Sequence, residues 1–282
     1  ALRIERQGDL RWLVVPAPAE QLWPQLREFW LASGFTLEVD NAEIGLLETG
    51  WAENRAKLPQ DFVRRTLGRV LEGLYDTNER DRFRMRLERG ADGSSEIYVS
   101  HRGIVEVFAD RTLQDNLRWQ PRPTDPLLEA EMLSRMMVHL GRGEREAQVA
   151  AATPMAAAPA AAARARLLEG QPGAAIELDS GFDLAWRRVG LALDRTGFTV
   201  EDRDRSAGLY YVRYADSAGT QAERGFLSRI FSRDEAVPPQ RYRIVLQGDR
   251  EKSVLAVLSA DGQPVPPAIG QRIAGVLVDA LK

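Results

Sequence analysis

Two histidines and no cysteine stand in this 282-residue chain, so little is available for nucleophilic or metal chemistry. His101 lies in the strand-like run EIYVSHR, and His139 lies near the end of a helical stripe. A metal site needs ligands at a recurring spacing, and a general base needs a neighbour that orients it. Neither histidine has such a spaced partner, so both read as surface or partly buried polar residues. Without cysteine there are no disulfides, thiol nucleophiles or cysteine-ligated metals. The segment DTNERD (76–81) imitates the opening of a calcium loop, but Arg80 and the missing glycine disqualify it. No G-x-S-x-G, G-x-x-x-x-G-K-S/T or G-x-G-x-x-G occurs. Carboxylates are plentiful, yet Glu129 and Glu131 read as solvated charge on a helix. The expectation is a protein that is not an enzyme, with no catalytic, cofactor-binding or metal residues and no cofactor.

Charge excludes a further class. The formal net charge is −3, which argues against a nucleic-acid partner held through phosphates. Residues 1–141 carry 19 basic and 23 acidic side chains and the rest 19 and 18, so the parts stand at −4 and +1. Hydrophobic content of 44% is enough for two modest cores. No stretch approaches the ~18 consecutive apolar residues of a membrane-spanning helix. The chain opens on ALRIERQGDLRWLVV without an initiator Met, which leaves room for an upstream signal peptide or anchor.

The elements that would position any site are written twice. GFTLEVDNAEIGLL (34–47) recurs as GFTVEDRDRSAGLY (197–210), at an offset of 163. Six of the eighteen positions from Gly34 to Trp51 are identical without a gap. At the same offset Trp23, Leu26 and Trp30 fall on Trp186, Val189 and Leu193, the i, i+3, i+7 spacing of one helix face. Pro18 suits a first helical position, and Ser180 with Asp183 suggests a capping box. Gly34 and Gly197 suit left-handed C-terminal caps. Each glycine is followed by a hairpin pattern.

The likeness continues from RFRMRLERG (82–90) to RYRIVLQGD (241–249), each followed by a turn and another strand, with Asp92-Gly93 marking the first turn. Each copy closes on a helix, striped by Leu128, Met132, Met136 and Leu140 after Pro126, or by Ile269, Ile273, Leu277 and Leu281. A one-sided antiparallel sheet needs a cover, which the last helix supplies. The expected fold class is therefore α+β: two tandem helix-grip domains, 1–141 and 174–282. The Ala/Pro-rich stretch 142–173 reads as a linker.

The copies differ between hairpin and third strand. In the first, Pro59 opens a helix with Val63, Leu67, Val70, Leu71 and Leu74 on one face and Arg64, Arg65 and Arg69 on the other, read as packed on its own domain. In the second, Phe226, Leu227, Ile230 and Phe231 form an apolar patch in a polar loop, flanked by Arg224, Arg229 and Arg233. Because Ile269, Ile273, Leu277 and Leu281 can cover the second sheet, the patch is expected to be a partner or membrane contact.

With these residues laid out, the chain resembles the BamC (NlpB) family of lipoproteins in the machinery that assembles β-barrels in the bacterial outer membrane. The likeness is carried by RWLVVPAPAEQLWPQLREFWLASGF, GWAENRAKLPQD, YDTNERDRFRMRLERG, EIYVSHRG and GFLSRIF. It implies a non-enzymatic accessory scaffold on the periplasmic side of the outer membrane. It also implies a lipid-anchored N-terminus and an arm that docks on a BamD-type subunit, with a BamA-type subunit as a further partner. Neither the lipobox cysteine nor the arm is in this sequence, so no docking residue carries over. The alternative is a module that holds a lipid or other apolar ligand between sheet and helix. Large facing residues (Trp23, Trp30, Met132, Met136) favour a filled core instead.

Overall fold

A computed structural model describes residues 2–7, 10–52, 79–90, 92–108, 117–141, 165–168, 174–214 and 240–281. They fall into two compact units, residues 1–158 and 159–282. The first contains β1 (Arg3–Gln7), β2 (Leu10–Val15), α1 (Ala19–Ala32), β3 (Leu37–Asn41), β4 (Leu46–Thr49), β5 (Glu79–Arg89), β6 (Ser95–Phe108), β7 (Leu117–Arg122) and α2 (Pro126–His139). The second contains β8 (Ala165–Leu168), β9 (Ala174–Leu178), α3 (Phe182–Arg195), β10 (Thr199–Asp204), β11 (Leu209–Tyr214), β12 (Gln240–Gly248), β13 (Ser253–Ser259) and α4 (Pro267–Leu281). Both units are mixed α+β with one antiparallel sheet each.

The sheets share one strand order. It runs β1-β2-β6-β5-β4-β3 in the first unit and β8-β9-β13-β12-β11-β10 in the second. The repeat therefore reaches topology, and its details match as well. Leu37 pairs with Thr49 and Val39 with Glu48, the register shifting between Leu37 and Val39. At the offset of 163, Val200 pairs with Val212 and Asp202 with Tyr211, with the same shift. That bulge adds one residue to an edge strand and twists it, a recognised way to protect an open edge. A serine hydroxyl ties the last inner strand to the chain entering each helix: Ser95 Oγ donates to Ala17 O (2.7 Å) and Ser253 Oγ to Ser180 O (2.8 Å).

The helix caps came out differently at their starts and as expected at their ends. Pro18 is the residue before α1, not its first. The Ser180/Asp183 capping box does not form, because α3 starts at Phe182 behind Gly181 and no side chain caps it. A Cβ on Gly181 would meet Arg250 O at 2.3 Å, so close backbone approach decides that position. Gly34 and Gly197 end α1 and α3 at φ of 86° and 82°. Asp125 caps α2, accepting from the N–H groups of Leu127 (3.0 Å) and Leu128 (3.3 Å).

Strand alternation places Leu13, Leu47, Phe83, Met85, Leu87, Ile97 and Val99 in one core cluster with Trp30, Met132 and Met136. Ile176, Tyr210, Val212, Ile244, Leu246, Leu255 and Val257 do the same with Trp186, Ile273 and Leu277. Three strands exceed what the periodicity suggested. β1 and β8 add an outer edge to each sheet, and β8 lies within the stretch that reads as linker. β7 pairs with the long second half of β6.

Gly208 closes the β10–β11 turn at φ +67°, and a Cβ there would meet Leu246 O at 2.1 Å. Gly93 has φ +77° with nothing within 4 Å. A left-handed alanine costs about 1–2 kcal/mol, so Gly93→Ala is expected to lose about that much stability. Gly208→Ala adds a backbone clash and is expected to lose clearly more, read as the shift in the urea unfolding midpoint of the full chain.

Candidate interaction site

The apolar patch expected to contact a partner, Phe226, Leu227, Ile230 and Phe231, lies outside the described residues, as does the helix expected from Pro59. The described residues do place the groups that an apolar ligand would have to displace. Trp30, Met132 and Met136 are fully buried, and Trp23 nearly so. The Trp30 indole lies 5.3–5.6 Å from the rings of Phe29, Phe35 and Phe83, and its N–H points to Met85 Sδ at 3.5 Å. Trp23 donates to Asp40 at 3.1 Å. In the second unit Trp186 stacks on Tyr210 with centroids 4.0 Å apart, and the Tyr210 hydroxyl donates to Trp186 O.

The sheet face away from the helices holds a group the sequence reading missed. On β5, Phe83, Met85 and Leu87 point into the core, so Arg80, Arg82, Arg84 and Arg86 point to the other side. Such alternation ordinarily reads as solvated charge. Yet Arg84 is 6% exposed and Arg86 1%. Glu48 on β4 accepts from Arg82 Nη1 (2.8 Å) and Arg84 Nε (2.6 Å). Arg82 also pairs with Glu38 at the bulge, and Arg86 pairs with Glu88. The guanidinium planes lie over aromatic faces: Arg80 over Trp119 at 4.4 Å, Arg82 over Trp51 at 4.6 Å and Arg86 over Tyr98 at 4.3 Å. Burial, and then the charge of Arg84, holds the Arg102 guanidinium below its usual value. The second sheet keeps a diluted version, with Arg241 and Arg213 on Glu201 and Arg243 over Tyr211. Arginine suits this work because its planar cation stacks and pairs at once. Among the described residues, the face presents arginines paired with carboxylates and laid over aromatic rings.

Two expectations about polar residues are corrected in the first unit. His101 is completely buried rather than at or near the surface. Its Nε2 lies 2.8 Å from Asp81 Oδ1, and its Nδ1 accepts the Asp125 N–H at 3.0 Å. Arg122 on β7 shares Asp81 Oδ1, lying where a side chain on Gly103 would have blocked it. Glu129 is buried, not solvated, and accepts the His101 N–H at 2.9 Å. The reason is a gap in the ladder: β6 pairs with β2 through Ile97 and with β7 from Gly103, leaving the His101 amide for a helix side chain. Glu131 instead pairs with Arg135 one turn on. His139 is exposed, as expected, against the Phe29 ring. Asp81 belongs to β5, and no cluster of three metal-ligating side chains occurs among the described residues.

The fold defines the class: a tandem α+β protein built from one unit duplicated, with the same strand order in both sheets. Residues 1–153 match the model of the outer membrane protein assembly factor BamC-like N-terminal domain, and residues 169–281 match the BamC-like C-terminal domain. The chain is 48% identical to an outer membrane protein assembly factor BamC of Thiobacillus denitrificans, over 99% of this chain and 76% of that protein. It is 46% identical to one of Accumulibacter regalis, over 99% and 74%. A protein of Neisseria meningitidis is 39% identical over 84% of this chain and 60% of its own length. The chain belongs to the BamC family.

Removing one partner of a buried ion pair costs about 3–5 kcal/mol, because the other charge stays buried. Glu48→Ala removes the carboxylate that Arg82 and Arg84 share and is expected to destabilise the first unit by about 3 kcal/mol. Exposed Glu43→Ala should stay within about 0.5 kcal/mol. Urea unfolding of the full chain, followed by tryptophan fluorescence, compares the two.

Proposed function

We propose that this protein is a non-enzymatic accessory scaffold in the assembly of β-barrel proteins into the bacterial outer membrane. The observation that carries this is the match of both units, over nearly the whole chain, to outer membrane protein assembly factors. The protein acts lipid-anchored on the periplasmic side, with BamD-type and BamA-type subunits as partners. Its architecture is two helix-grip domains, 1–141 and 174–282, around an Ala/Pro-rich linker at 142–173, with β8 as an added edge of the second. The buried aromatic and methionine side chains between sheet and helix support a scaffold over a lipid-binding module. Phe226, Leu227, Ile230 and Phe231 form the partner or membrane contact.

The lipidated full-length protein, used as bait in native membranes, is expected to recover other assembly subunits; recovery of none of them would overturn the proposal. Phe226→Ser with Phe231→Ser is expected to leave melting nearly unchanged and to weaken that association at least about tenfold, as loss of a central aromatic anchor does. A large fall in melting temperature would mean that the patch is core.

A further inference from the structure

The buried polar cluster of the first unit has no counterpart in the second. Aligning the strands by their pairing and the helices by their stripes puts Gln240 at the place of Asp81, Ser259 at that of His101, Pro266 at Asp125 and Gly270 at Glu129. The second helix start is thus held by apolar packing and proline, whereas the first is tied to the sheet through an imidazole.

A backbone amide can only donate, so the 3.0 Å contact from Asp125 N–H makes Nδ1 of His101 an acceptor. The ring is then the neutral Nε2–H tautomer, and Nε2 donates to Asp81 Oδ1. A proton added to Nδ1 would set donor against donor and break the link between β6 and the residue that caps α2.

The surroundings decide whether such a proton can be held. From β5 the ring faces Asp81, with Glu79 beyond it and the Phe83 ring at 5.4 Å. From β7 it faces Arg122, which shares Asp81 Oδ1. From α2 it faces Asp125, Glu129 and the positive end of the helix. Asp81, Asp125 and Glu129 favour an imidazolium, while Arg122 and the helix end oppose it.

We propose that His101 is a proton-operated catch: neutral, it holds the start of α2 on the sheet; protonated, it keeps its bond to Asp81 but lets that helix start go. This device belongs to the first unit alone and does not depend on the proposed function.

The test is amide hydrogen exchange and 15N–1H spectroscopy of the full chain between about pH 7.5 and 5, the range in which histidine changes charge. After correction for intrinsic exchange, protection at Asp125, Leu127 and Leu128 is expected to fall roughly tenfold on acidification, while Leu87 and Ile244 stay unchanged. His101→Gln keeps an acceptor but cannot take a proton, and it should abolish the fall; His139→Gln, at the other histidine, should leave it intact. Constant protection in the wild type, or the same fall in His101→Gln, would overturn the proposal. The imidazole 15N shifts of the wild type provide a check that needs no variant. An Nδ1 carrying the proton at about pH 7.5 would equally overturn it.

Discussion

An antiparallel sheet with one apolar face cannot keep that face in water, and the rest of this protein follows from how each copy covers it. Every fully buried large apolar side chain is worth about 1.5–3 kcal/mol, and each unit collects many of them between one sheet face and two helices. The strand order, the serine tie behind the helix and the left-handed glycines at the helix ends all serve to lay the helices across that face. Where the cover is complete, the copies agree in architecture and keep several core side chains, with Trp23, Phe35, Leu87 and Val99 recurring as Trp186, Phe198, Leu246 and Val257.

The copies part most on the sheet face away from the core and at the start of the last helix. In the first, arginines of β5 are buried among Glu48, Glu38, Trp51 and Tyr98 on the far side of the sheet. In the second, the same side carries Arg213 and Arg241 largely in solvent, around Glu201. The first also lengthens β5 and β6, adds β7 and inserts a polar cluster at the helix start. A duplicated unit retains its core because packing resists change of volume, and its other faces are free to specialise.

Much of this was legible in the chain. The 163-residue offset predicted two like units, and the paired register of 37–49 and 200–212 carries that offset into the hydrogen-bond ladder. The helix stripes and the glycine stops were legible because period and backbone chirality act locally. The strands β1, β7 and β8 were not, since short segments with weak alternation become strands only when a neighbouring edge accepts their hydrogen bonds.

His101 and Glu129 mark the boundary most clearly. By itself the sequence determined the duplication and the apolar face of each sheet, because those depend on periodicity along the chain. Only the tertiary structure decided that a histidine on β6 and a glutamate on α2 are buried together. Their burial comes from a break between β2 and β7 that frees one backbone amide and leaves room for an arginine beside Gly103. Such a need arises between elements distant in sequence, and no local pattern records it, because the cost of an unpaired buried amide exists only once the sheet has formed.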